Sequence, residues 1–179
     1  MIADEDLMRE VRGGSRVALE TLFGRYRGPI WRFFRRRVAD PARAEELAQE
    51  VFLALLQNAA RYEPRAAFRS YLFAIAFNLL QTERRVASKA LIDPIESEPA
   101  APGGLDADTS LWVRRALAEL DRDEREILML REYEQLSYQE IAEVCRLPLN
   151  TVRTRLFRAR AALRAALMPE SRGQLRTRT

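Results

Sequence analysis

Along most of this 179-residue chain apolar side chains recur every three to four positions, but between residues 87 and 110 that repeat stops. The interrupted stretch holds Pro94, Pro99, Pro102, Gly103 and Gly104, with Asp93, Glu96, Glu98, Asp106 and Asp108 against the single base Lys89. A helix does not propagate through such a composition, and no segment elsewhere keeps the two-residue period of a strand. The chain is therefore expected to be all-α. Two small helical domains, residues 1–86 and 111–168, flank a flexible acidic linker at 87–110, and a basic, disordered tail follows at 169–179. Charge follows nearly the same division: the net +4 of the whole chain resolves into +4 over residues 1–86, −4 over 87–110 and +4 over 111–179.

The sequence has no His and one Cys, Cys145. That removes the commonest metal ligand and the commonest base at neutral pH, and with them zinc clusters, Ser-His-Asp triads and Cys-His pairs. Gly13-Gly14 and Gly103-Gly104 belong to no phosphate-binding or dinucleotide pattern. No catalytic residue, metal or cofactor is expected, so the chain reads as a binder and not an enzyme. No apolar run approaches the roughly 18 residues of a membrane span, and the acidic start (Asp4, Glu5, Asp6) is unlike a secretory leader. A cytoplasmic protein without membrane insertion is the expectation.

In the first domain, Asp40-Pro41 predicts a helix over about 41–59, with an N-cap followed by a first-turn proline. Leu47, Val51, Ala54 and Leu55 form its core face, and Glu46, Glu50 and Gln57 a polar face. A third group, Glu45, Gln49, Phe52 and Leu56 with Leu53 beside them, mixes apolar and amide side chains as protein-binding surfaces do. The alternative is that Phe52 and Leu56 pack beneath a helix at 15–38. A basic loop, Arg61-Tyr62-Glu63-Pro64-Arg65, leads to a helix over about 66–86. Its core face is Phe68, Leu72, Ile75, Ala76 and Leu79. A second stripe carries Tyr71, Asn78, Gln81 and Arg85, with Arg84 nearby. An aromatic ring, amides and arginines on one stripe can stack on bases, read their edges and hold phosphates, although alone such a stripe is also an ordinary solvated face.

In the second domain, Asp121 with Glu124 and Ser137 with Glu140 each fit a capping box. The second box opens a short helix at about 138–145, a turn follows, and a long helix begins near Thr151, with Asn150 suited to cap it. That spacing is a helix-turn-helix, whose second helix enters the major groove of DNA. Val152, Leu156, Leu163 and Leu167 make its core stripe, leaving Arg153, Thr154, Phe157 and Arg158 towards the groove. Between Val144 and Pro169 there are six Arg and no acid, an electrostatic footprint for a polyanion.

Three stretches together resemble the extracytoplasmic-function (ECF) sigma factors, small members of the sigma-70 family of bacterial transcription initiation factors. Residues 137–142 (SYQEIA), Pro148 and 151–160 (TVRTRLFRAR) resemble their promoter-binding helix-turn-helix. Residues 44–52 (AEELAQEVF) resemble their polymerase-binding helix, and 68–78 (FRSYLFAIAFN) their element for the −10 promoter box. The resemblance covers about residues 15–168. It implies that Glu45, Glu46, Gln49, Glu50, Phe52, Leu53 and Leu56 dock on the clamp helices of the largest subunit of core RNA polymerase, whose flap is a further partner. It implies contacts to the −10 element by Arg61, Arg65, Tyr71, Asn78, Gln81, Arg84 and Arg85, and to the −35 element by Arg131, Tyr138, Arg153, Thr154, Phe157 and Arg158. Tyr71 stands where the family usually has Trp, Phe77 where it has Arg, and Gln81 where it has Asp. An anti-sigma factor is an implied regulator, and the acidic linker is implied to thread the polymerase's basic RNA-exit path. A 24-residue linker reaches at most ~80 Å, and promoter elements two helical turns apart need ~70 Å. The rival within DNA binding is a stand-alone helix-turn-helix regulator, which leaves the 44–56 and 68–85 surfaces without a purpose.

Overall fold

Capping chemistry decides where most of the helices begin. In this computed structural model, which describes residues 2–64, 66–89 and 107–168, the described residues contain eight α-helices and no strand. The first domain holds α1 (Asp4–Arg12), α2 (Arg16–Arg35), α3 (Pro41–Gln57) and α4 (Phe68–Lys89), with a 3-10 turn at Ala59–Arg61. The second holds α5 (Ala107–Ala118), α6 (Arg122–Glu132), α7 (Tyr138–Cys145) and α8 (Leu149–Leu167). Ser15 accepts from the Ala18 amide at the start of α2, and Asp40 from Ala42 at the start of α3, where Pro41 takes the first position. Ser137 and Glu140 form a complete capping box on α7. At α6 Asp121 accepts from the amides of Asp123 and Glu124.

One expected cap fails. Helix α8 starts at Leu149, two residues before Thr151, so its N-cap is Pro148, which offers no side-chain acceptor. Asn150 lies inside the first turn, where its Oδ1 accepts from Arg153 at 3.3 Å. Helix α4 is capped from a distance: the Glu5 carboxylate of α1 accepts from the Phe68 amide at 2.9 Å, placing an anion at its positive end.

Helices α2, α3 and α4 bury Leu22, Ile30, Phe33, Phe34, Leu47, Leu55, Phe68, Leu72, Phe73 and Leu80 between them. Phe33 meets Phe34 and Phe73 edge-on, with centroids 5.1 and 5.9 Å apart. In the second domain α6, α7 and α8 close over Ile127, Leu130, Ile141, Val144, Val152, Leu156 and Ala159. The two domains are not apart. Helix α4 lies along α7, and the buried apolar residues form one cluster that passes from one domain into the other.

The seam between the domains is built on charge. Arg37, just past the end of α2, is 6% exposed and stacks on the Phe33 ring at 4.0 Å. Its Nε donates to Glu126 at 3.0 Å, and its Nη1 to Glu134 at 3.1 Å, both carboxylates of the second domain. Arg84 of α4 donates to Glu126 at 2.9 Å, Arg36 to Glu134 at 3.3 Å, and Arg69 to the Glu134 carbonyl. Burial pushes the Glu126 carboxyl up, but Arg37 and Arg84 more than offset it and hold it below its ordinary value.

The linker expectation at 87–110 falls largely outside the described residues, as do Arg65 and the 169–179 tail. Helix α4 runs on to Lys89 and α5 starts at Ala107, leaving residues 90–106 between them. Those 17 residues reach at most ~56 Å, so the domains themselves must contribute to any ~70 Å span. No helix among the described residues is long and apolar enough to cross a membrane.

Arg43 ties α3 to α4. It donates to Glu83 at 2.7 and 2.9 Å, to Glu46 at 2.9 Å and to Glu50 at 3.0 Å. The hydrogen bonds from Arg43 hold the Glu83 carboxyl below the ordinary carboxylate range, so the pair stabilises the fold at neutral pH and its contribution is lost as pH falls through the lowered value. Both side chains are about one-third exposed, at 32% and 29%, so screening trims the effect. Glu83→Gln is expected to lose at most about 1 kcal/mol at pH 7. In urea titrations the two stability curves should converge below about pH 4; a constant offset down to pH 3 would contradict the assignment.

Candidate protein and nucleic-acid interfaces

The outward group on α3 divides on inspection. Leu53 and Leu56 are exposed, at 57% and 43%. Phe52 is not: it is 7% exposed and packs edge-on against Phe23 of α2 at 4.8 Å, as the alternative for a helix at 15–38 required. Phe52 still forms the floor of a cleft of about 370 Å³ between α2 and α3, rimmed by Glu45, Gln49, Arg27, Trp31 and Phe23. Trp31 and Phe23 are 39% and 41% exposed, large values for rings of that size in a soluble helix. Sequence reading missed this second wall. Its signal was present, since positions 23, 27 and 31 recur at helical spacing beside the core positions Leu22 and Ile30. Glu46 and Glu50 instead sit with Arg43 on the neighbouring face.

The stripe on α4 also divides. Asn78 and Arg85 are exposed, as is Arg61 in the loop before it. Tyr71 is half-buried, tilted against Tyr62 at 5.1 Å, and burial raises its hydroxyl pKa. Tyr62 is 3% exposed, and its hydroxyl makes no hydrogen bond among the described residues. Burial, with the Glu5 carboxylate next, pushes that hydroxyl up to about 12. Arg84 and Gln81 depart from the expected open stripe. Arg84 is paired with Glu126, and both line a crevice of about 280 Å³ against α6 and α7, together with Phe77, Cys145, Leu147 and Arg155. A single helix wheel cannot foresee this, because the partner lies 42 residues away on the other domain.

In the second domain, α7, a three-residue turn and α8 form the helix-turn-helix. Arg146 takes the left-handed conformation (φ 54°) that ends α7, and Pro148 then starts α8. Arg153, Thr154, Phe157 and Arg158 all point away from the core, with Phe157 75% exposed. Four residues within a turn and a half thus set two guanidinium forks, a hydroxyl and an aromatic ring on one exposed face of α8. Arg131 and Tyr138 stand beside them in supporting positions. Arg131 donates to the Leu136 carbonyl at 2.8 Å and lies over the Tyr138 ring at 5.5 Å, while Tyr138 Oη accepts from Arg160 at 3.0 Å. The six arginines are not all uncompensated, as the local sequence implied. Arg155 pairs with Asp123 at 2.8 Å and Arg160 with Glu132 at 2.9 Å, acids supplied by α6.

Comparison with known proteins decides the family. The sequence model described as Sigma-70 region 2 matches residues 22–90, and Sigma-70, region 4 matches residues 110–163. The RNA polymerase sigma-H factor of Pseudomonas aeruginosa is 32% identical over 93% of this chain and 94% of its own length. The ECF RNA polymerase sigma factor SigC of Mycobacterium tuberculosis is 33% identical over 88% and 87%. The chain belongs to the ECF sigma factors of the sigma-70 family.

As a sigma factor it directs RNA polymerase to promoters. Its fold recurs in solved structures. CnrH, solved in complex with the cytosolic domain of CnrY, superposes with a TM-score of 0.72 at 24% identity over 93% of this chain and 97% of that one. The sigma factor RpoE of Bartonella quintana, solved with the anti-sigma factor NepR, gives 0.68 at 25% identity over 83% and 95%.

Cys145 of this sigma factor is a packing residue in chemical terms. Burial, with the Glu126 charge next, pushes its thiol up to about 12. At pH 8 an Ellman's-reagent titration of the native protein should therefore run slower than that of an exposed peptide thiol by a factor on the order of 10³. Labelling at the peptide rate would show the crevice to be open.

Proposed function

We propose that this sigma factor divides its work between three surfaces. The α2–α3 cleft, with Phe23, Trp31, Glu45, Gln49 and Phe52, and the neighbouring Leu53 and Leu56, docks on the clamp helices of core RNA polymerase, with Glu46 and Glu50 at its edge. Arg61, Arg65, Tyr71, Asn78 and Arg85 receive unstacked bases and phosphates of the −10 element, with Gln81 and Arg84 beside them at the crevice against α6 and α7. Base capture costs least at flexible A·T-rich steps, where stacking is weak. Arg153, Thr154, Phe157 and Arg158 read the −35 element in the major groove, backed by Arg131 and Tyr138.

The observation that carries this reading is the outward face of α8. Two arginines, a threonine and a 75% exposed phenylalanine make no hydrogen bond or ion pair there beyond their own helix, and they stand on the second helix of a helix-turn-helix. The polymerase supplies the chemistry, so the chain itself is no enzyme. It works in the cytoplasm beside its polymerase. The sigma factor RpoE, solved with the anti-sigma factor NepR, supports control by such a protein, for which the exposed Trp31 and Leu53 offer apolar anchors.

Run-off transcription with core polymerase over a pool of genomic promoters tests the reading and returns the consensus. Arg153→Ala or Arg158→Ala should lower output from the preferred promoters roughly five- to 150-fold, the range of one bidentate base contact. Polymerase binding should be unchanged in both. Leu53→Asp with Leu56→Asp should abolish polymerase binding and leave helical content intact. Tight, sequence-specific binding of promoter duplex by the isolated chain would favour a stand-alone regulator instead.

A further inference from the structure

Helix α4 begins without a cap of its own. The residue before Phe68 is Ala67, whose methyl side chain accepts no hydrogen bond, and alanine is among the poorest N-cap residues. The bond that closes the first turn, from the Tyr71 amide to the Ala67 carbonyl, is long at 3.3 Å. A first turn with orphan amides and a weak closing bond frays unless an acceptor is brought to it. That acceptor is the half-buried Glu5, 63 residues earlier, whose carboxylate accepts from the Phe68 amide at 2.9 Å. The negative charge also lies at the positive end of the helix, where it stabilises the turn further.

Glu5 is held where it can do this. Leu7, Met8 and Val11 bury the apolar face of α1, and the neighbouring Asp4 accepts from Arg25 and Tyr26 of α2. The Tyr26 ring in turn meets Phe68 edge-on, with centroids 5.4 Å apart. Tyr62 meets Phe68 at 6.2 Å and leans on Tyr71 at 5.1 Å. A row of rings therefore runs from α2 through the first residue of α4 to Tyr71, and the Glu5 hydrogen bond fastens it at Phe68. Helix α1 carries none of the residues assigned to the three surfaces, yet it supports the turn that ends on Tyr71.

We infer that Glu5 is a positioning residue for promoter opening: from α1 it caps the first turn of α4 and so holds Tyr71 in place to meet an unpaired −10 base. The inference rests on the −10 reading of Tyr71. Its consequence is quantitative, because a frayed turn lowers the fraction of chains competent to capture a base, and the apparent affinity for the opened strand falls with that fraction.

Holoenzyme assembled from the full chain, on a preferred promoter from the run-off pool, tests it, with permanganate oxidation of unpaired thymines reporting opening. Glu5→Ala should lower the opening equilibrium about fivefold, as loss of one helix cap implies, while binding to core polymerase stays as in wild type. Adding Ala67→Ser to it should restore opening to within about twofold, because the serine hydroxyl can accept from the amide of Arg69 or Ser70 and cap α4 locally. A general loosening of α1 would not respond to a cap on α4. Glu10→Ala removes an exposed acid from the same helix and should open the promoter like wild type. Should Glu5→Ala lose helicity, Glu5→Asp, which keeps the charge and withdraws the acceptor by one methylene, is read in the same way. Opening at the wild-type level in Glu5→Ala, a defect that Ala67→Ser leaves in place, or an equal defect in Glu10→Ala would each overturn the positioning role. Tyr71→Ala opening the promoter like wild type would instead overturn the −10 reading beneath it.

Discussion

Arg37 cannot reach water, and that single constraint organises the region where the two halves of the molecule meet. Its stem follows the end of α2 and its guanidinium lies over Phe33, so its position is set by the core of the first domain. Its neutralising charges come from the second domain. Burial works against the cation, and Glu126 and Glu134 more than restore it, raising its pKa above the ordinary value. A guanidinium with five donors can serve two carboxylates and a backbone carbonyl at once, which a lysine could not do with the same geometry. The seam is therefore written into one side chain's hydrogen-bonding capacity, and α4, α6 and α7 converge on it.

The binding surfaces obey the opposite logic. Where the seam hides charge, the α2–α3 cleft leaves apolar area in water: Trp31, Phe23, Leu53 and Leu56 are all at least 39% exposed. Exposed aromatic and aliphatic anchors beside Glu45, Gln49 and Arg27 make the kind of patch that proteins bury against a partner, with apolar anchors at the centre and polar groups at the rim. On α8 the exposed groups are cations and a ring, suited to a polyanion with flat bases. On the proposed reading, polymerase docking on α2 and α3 and groove reading on α8 are thus separated by helix and by composition.

Much of this was legible in the chain itself, and the reasons for success and failure differ by range. Caps are local: Asp40, Asp121 and Ser137 each act within three residues, so sequence finds them. So does the 3.6-residue repeat that buries Leu47, Val51 and Leu55, or Val152 and Leu156. Failures came where a residue's partner is distant or sits on an unseen wall. A wheel of α3 sets Phe52 outward because it shows only its own helix, and Phe23, which covers it, is 29 residues earlier. Arg84, Glu126 and Glu134 look like ordinary solvated charges in sequence, since each sits on a helix or turn rich in other charges. The α8 arginines were overcounted as free for the same reason, as Asp123 and Glu132 approach from α6. Asn150 was misjudged for a subtler one: Pro148 pre-sets the backbone for a helix start, so the helix begins before the asparagine can cap it.

The distribution of paired and unpaired arginines also bears on how strongly the free chain can hold DNA. Non-specific affinity grows with the number of phosphates neutralised. On the second domain two of the six arginines near α8 are already satisfied by acids of α6, and in the first domain Arg84 is satisfied by Glu126. The exposed arginines without an ion pair around α8 are then Arg146, Arg153, Arg158 and Arg164, fewer than the local sequence count. Affinity must come from engaging both, and holding both to one promoter raises the effective concentration of the second contact. In the closed arrangement that gain is forfeited, because the two surfaces cannot reach elements ~70 Å apart. On the proposed reading, spacing then bears on promoter binding as much as any single contact does.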